Sequence, residues 1–170
     1  RYLDTRGQDT TLPTFTQVVI QGIAQGGGLY VPEQVPVLSV EKIVALSGLP
    51  YHARAAATHR ALGVDIPDER LDALMALAFG SNFDHPAVAP AVEVAPGMHV
   101  LELWHGPTSA FKDMALQCMP LLFSEAIALR RAAGEALDDY LVLVATSGDT
   151  GKAALEGFAD RDSTSIAVFY

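Results

Sequence analysis

The chain has 170 residues, half of them apolar and 18% charged, with a formal charge of -9 at pH 7. That balance allows a packed core and argues against nucleic acid or an anionic membrane surface as a partner. A single cysteine, Cys118, excludes an internal disulfide, and no run approaches the ~18 consecutive apolar residues of a membrane span.

No secretory leader pattern opens the chain, and the cysteine usage fits a reducing cytoplasm. Thr14 and Gln17 have the spacing of a capping box and predict a short helix to about Ala24, with Phe15, Val18, Val19 and Ile23 at helical intervals. Gly26, Gly27 and Gly28 stop it, and Leu29–Val31 follows, closed by Pro32. Ser39 predicts a cap for a helix over 40–47, and residues 51–62 an alanine-rich second helix. Pro67 takes the first position of a third, with Asp68 and Glu69 at its positive end, running to about Phe79. Residues 82–90, with Pro86 and Pro90, read as a linker or surface loop.

The pattern then changes. Val92–Val94 and His99–Trp104 predict a hairpin about Pro96-Gly97, and Trp104 leads into a turn that ends at Lys112. The following helix kinks at Pro120, or a second begins there and reaches about Ala133. Tyr140–Val144 predicts a buried strand, Ser147–Gly151 a turn, Lys152–Ala159 a helix and Ile166–Tyr170 a further strand. Strand and helix alternating in this way imply a parallel sheet. The sequence stops on that last strand, so the expectation is the front part of a longer protein.

Two stretches carry chemistry. Lys112 sits where a strand-to-helix turn ends, and the positive end of a helix favours a neutral amine, the nucleophilic form. The plain alternative is a solvated lysine that starts a helix. In Ser147-Gly148-Asp149-Thr150-Gly151, two glycines and a helix start offer amide N–H groups to an anion, with hydroxyls from Ser147 and Thr150. The alternative there is an ordinary loop capped by Asp149. A nucleotide-binding P-loop fails at two positions, Thr146 in place of the first glycine and Ala153 in place of the magnesium hydroxyl. His105 reads as a structural residue, Asp113 as one favoured by the helix start with a possible hand in orienting Lys112, and Cys118 as a small buried group. Arg6 reads equally as a salt-bridge partner or part of a phosphate-facing wall. The histidines show no metal-ligand spacing.

His105-Gly-Pro-Thr-Ser-Ala-Phe-Lys112-Asp113 resembles the lysine segment of the threonine synthases, which are fold-type-II pyridoxal 5'-phosphate (PLP) enzymes. Ala145–Gly151, Asp4–Gly7 and Gly26–Glu33 resemble further elements of that family, in its order, so that the resemblance covers essentially the whole chain. It implies an α/β fold: a small, mostly helical N-terminal domain (1–85), then part of a parallel-sheet, three-layer PLP catalytic domain (86–170). It implies that Lys112 holds PLP covalently and is the catalytic residue. Ser147, Gly148, Asp149, Thr150 and Gly151 then receive the substrate carboxylate. Asp149 lies near the PLP 3-hydroxyl, where related enzymes carry Asn. The implied reaction converts O-phospho-L-homoserine and water to L-threonine and phosphate in the cytoplasm, with no nucleic-acid or membrane partner. A second glycine cradle for the PLP phosphate is missing after Gly151, so the chain is expected to hold half a site and to be inactive alone. The alternatives are a phospholyase on the same framework, a non-catalytic interaction module, and an ATP-binding domain built on Gly151-Lys152.

Overall fold

The structure, a computed structural model, describes residues 1–169. In chain order the elements are β1 (Tyr2–Asp4), α1 (Phe15–Gln21), β2 (Tyr30–Pro32), α2 (Val40–Ser47), α3 (Tyr51–Ala61) and α4 (Asp68–Ala78). After these come β3 (Ala91–Ala95), β4 (Met98–Leu101), α5 (Asp113–Leu116), α6 (Met119–Ala132), β5 (Tyr140–Ala145), α7 (Asp149–Phe158) and β6 (Thr164–Phe169). The fold is α/β, as expected. β1 and β2 pair antiparallel, β3 and β4 form an antiparallel hairpin with an irregularity between Glu93 and Ala95, and β5 and β6 run parallel from Tyr140↔Thr164 to Ala145↔Phe169.

Several boundaries differ from those read in the sequence. α1 ends at Gln21 because Gly22 takes φ 74° and returns its N–H to Val18 O (2.8 Å). α4 opens at Asp68, with Pro67 as its extended cap. β4 stops at Leu101: the Glu102 N–H bonds Pro90 O (2.9 Å), so residues 102–105 enter the lysine turn as coil and not as strand. Pro120 lies in the first turn of α6, where its missing N–H costs no helical bond. α7 begins at Asp149, three residues early, with Gly148 as its cap. β5 is half-buried on one face and open on the other, where Leu141 and Leu143 are 60% and 62% exposed. β6 covers the predicted last strand as far as Phe169; Tyr170 lies outside the described residues.

α6 is the central beam. Leu121 and Leu122 join Cys118 in the larger core with Ala56, Leu71, Met75, Phe79, Phe83 and Val88. Phe123 and Ile127 meet Phe158 of α7, and Tyr140, Val142 and Ile166 of the parallel pair pack around them. Each large side chain buried here contributes about 1.5–3 kcal/mol. The segment 105–118 runs directly into α6, so the lysine turn is anchored on the best-packed helix of the chain. α1 is tied in at its first turn, where the Thr16 N–H and hydroxyl donate to the Asp65 carboxylate at 2.8 and 3.0 Å.

Candidate active site

The lysine turn is organised by Thr108 and Asp113. Asp113 is fully buried, and its carboxylate accepts from the Thr108 N–H (2.8 Å) and the Thr108 hydroxyl (2.7 Å). The sequence read Asp113 chiefly through its place at a helix start; the structure makes it the acceptor that closes the turn. Gly106 is needed for this closure, because a Cβ there would meet the Asp113 carboxylate at 2.5 Å. Ser109 takes φ 58°, a left-handed angle that the locked turn sustains. α5 is only four residues long, so few peptide dipoles add up at Lys112, and helix polarity is not what distinguishes this residue.

Lys112 caps α5 with a half-buried side chain. Its Nζ lies 4.5 Å from the centroid of the exposed Phe111 ring. Among the described residues it makes no ion pair. Lys152 is different: its Nζ donates to the Thr108 carbonyl (2.9 Å). That bond is the direct link between the two predicted stretches, joining the first turn of α7 to the lysine turn. With its ammonium engaged there, Lys152 does not point into the 147–151 loop as a P-loop lysine would.

Ser147, Gly148, Asp149 and Thr150 are exposed, while Gly151 is buried against Thr146 and Val168. The Gly151 N–H already bonds Gly148 O (3.0 Å). The amides that remain free for an anion at this helix start are therefore those of Asp149 and Thr150, and Asp149 itself occupies the first helical position. α7 is set close to α5 by Gly157: a Cβ there would overlap the Leu116 carbonyl oxygen. Gly157→Ala normally gains about 1 kcal/mol in a helix. Here it should instead cost about 1–3 kcal/mol by overpacking against backbone that cannot rotate away, read as a lower midpoint in thermal unfolding.

His105 begins the turn. Its Nδ1 lies 2.5 Å from Asp84 Oδ1 and its Nε2 lies 2.7 Å from Glu102 Oε2, while its carbonyl accepts the Asp84 N–H (3.0 Å). Hydrogen bonds to Glu102 and then Asp84 hold its titration above that of an ordinary histidine. Cys118 is buried beside Met75 and His59, and burial pushes its thiol up to about 12, so it behaves as a small apolar group. Gly26–Gly28 form no open cradle: they are packed against Gln8, Arg6 and Asp4. The Asp4 carboxylate is bonded to the N–H groups of Arg6, Gln8 and Asp9, and Arg6 donates to Gly26 O (2.8 Å), so Arg6 fastens the glycine run. No His, Cys, Asp or Glu cluster with metal-binding geometry occurs among the described residues. No described helix is long and apolar enough to cross a membrane.

A family model described as "Threonine synthase N terminus" matches residues 1–79. The chain is 41% identical to threonine synthase of Pseudomonas aeruginosa over 171 aligned residues, an alignment that takes in all of this chain and 35% of that protein. It is 37% identical to human "Threonine synthase-like 1", covering 96% of this chain and 22% of the relative. Among solved structures, PLP-bound threonine synthase from Brucella melitensis superposes with a TM-score of 0.87 at 37% identity, over 98% of this chain and 34% of that one. The yeast enzyme gives 0.86 at 34% identity, with the same coverage. The chain thus spans about a third of the length of these threonine synthases.

Proposed function

We propose that this chain, homologous along its whole length to the N-terminal portion of the threonine synthase family, supplies the lysine side of a PLP-dependent active site. The reaction is conversion of O-phospho-L-homoserine and water to L-threonine and phosphate, in the cytoplasm. One observation carries this reading: the intact His105–Asp113 string is folded as a locked turn, and that turn is bonded through Lys152 to the loop at 147–151. Residues 1–85 are read as the family's N-terminal domain and 86–170 as an incomplete catalytic domain.

The residues present fit the cofactor in part. Lys112 offers an amine with no carboxylate partner among the described residues, and the α7 start offers N–H and hydroxyl donors to a carboxylate. The packed glycines at 26–28 exclude themselves as a phosphate cradle. Without a cradle at those glycines, the 170 residues alone should bind PLP weakly or not at all. Exposed Trp104, Phe111, Leu141 and Leu143 support this, since a longer chain has apolar faces here to cover.

When bound, PLP supplies the electron sink that lets the bonds at Cα, Cβ and Cγ be made and broken. Lys112 would hold the cofactor and would then move protons: one off Cα, one off Cβ, and one each back to Cγ and Cα. The Cγ–O bond would break with its electron pair going to phosphate, and the phosphate would take up the proton that water gives up as its hydroxyl adds to Cβ. Ser147, Thr150 and the amides of Asp149 and Thr150 hold the substrate carboxylate, which keeps the path to Lys112 short. Asp149 would stand near the cofactor hydroxyl, where a carboxylate behaves differently from an amide.

A second reading, which would keep Lys112 in the same place, is a phospholyase that frees phosphate from the same substrate and ends in a ketoacid. Product analysis separates the two. A protein carrying this segment with the remaining two thirds of the family's length should release threonine and phosphate in equal amounts. A ketoacid with equimolar phosphate and ammonia would replace the first reading by the second.

A further inference from the structure

His105 has two carboxylates on one ring. An ionised carboxylate only accepts hydrogen bonds, and a neutral imidazole has one N–H to donate. The contacts at 2.5 Å to Asp84 and 2.7 Å to Glu102 therefore need both ring nitrogens protonated. The partners come from different places: Glu102 lies in the coil after β4, Asp84 in the loop 82–90. The backbone bond from the Asp84 N–H to the His105 carbonyl lies alongside. Thus two bonds fasten the 82–90 loop to the residue that opens the lysine turn, and the third, to Glu102, holds the ring from its own segment. The titratable groups facing the ring are Asp84 and His85 from the loop, with the His85 ring centroid 5.0 Å away, and Glu102 from its own segment; the Trp104 ring is packed beside it.

We propose that His105 is a positioning residue: as an imidazolium it clasps Asp84 of the 82–90 loop to the start of the lysine turn, and in its neutral form it loosens the loop at Asp84 while Phe83 and Val88 stay in the core. The clasp stands on its own geometry; its effect on cofactor chemistry rests on the reading of Lys112 given above. The sign of the pH dependence follows from the bonds. They favour the charged ring in the folded chain. The stabilisation is complete below about pH 6.5, where an unfolded histidine is protonated, and is lost as pH rises through the higher folded midpoint. Salt screens the exposed Asp84 arm more than the Glu102 arm.

The test is an NMR titration of the His105 ring in the full chain, with amide hydrogen exchange at Asp84 and Thr108 over the same pH range. The ring should titrate above 6.5, and Asp84 amide protection, corrected for intrinsic exchange, should drop through the same midpoint. Glu102→Gln should lower that midpoint, and His105→Gln should make Asp84 protection low at every pH. A wild-type midpoint at or below 6.5, or Asp84 protection that does not change through the midpoint, would overturn the clasp. The wild-type measurements need no variant to fold. Because they need no cofactor, they separate the clasp from the Lys112 reading, which fails only if PLP attaches elsewhere.

Discussion

Lys112→Ala, made in a protein that joins this segment to the rest of the family's length, should abolish the visible absorbance of bound PLP and the release of threonine. The lost proton transfers alone should slow turnover by roughly 10²–10⁴-fold, or about 3–5 kcal/mol of barrier. Loss of covalent attachment adds to that. Lys112→Arg should not rescue it, because a guanidinium stays charged and neither attacks a carbonyl nor accepts a proton near neutral pH. Stability should barely change, since Lys112 is half-buried and forms no ion pair among the described residues. Absorbance retained in Lys112→Ala would remove Lys112 from the chemistry.

The second large effect is structural. Asp113→Ala strips both partners from the buried Thr108 N–H and hydroxyl, each unsatisfied group costing about 1–3 kcal/mol. The sum of about 2–6 kcal/mol corresponds to a thermal midpoint lower by roughly 4–24 °C in a chain of this size. Asp113→Asn should be far milder. Its carbonyl oxygen accepts the Thr108 N–H, its amide donates to the Thr108 hydroxyl oxygen, and the hydroxyl rotates to suit. Equal losses for Ala and Asn would show that charge, not hydrogen-bond satisfaction, holds the turn. In the longer protein, Asp113→Ala should also reduce turnover at temperatures where it stays folded, because it unlocks the turn that places Lys112.

Local signals in the sequence carried far. Ser39 and the spacing after it place α2 correctly over Val40–Ser47, with the Ser39 hydroxyl accepting the Lys42 N–H (3.3 Å). Pro96-Gly97 marks the hairpin turn, and the β–α–β rhythm of the last third gives the parallel β5–β6 pair. What stayed hidden depends on contacts between distant residues. Lys152 reaches Thr108 across 44 positions, and Asp84 reaches His105 across 21. A lysine after a glycine invites a phosphate reading until its acceptor is seen. The unbroken apolar run Tyr140–Val144 suggested burial on both faces, but only a sheet partner or a covering layer decides that, and here one face stays open. Asp113 was read through the helix that follows it, whereas its partner lies five residues before it.

The chain contains three lysines, Lys42, Lys112 and Lys152. Lys42 rides on α2, which buries none of its residues, and Lys152 is bonded to Thr108. Borohydride reduction of the longer protein with PLP, followed by peptide mapping, asks directly which amine holds the cofactor. The account predicts a single phosphopyridoxyl group on the peptide containing Lys112; a label on Lys152, or on any lysine outside this segment, would contradict it.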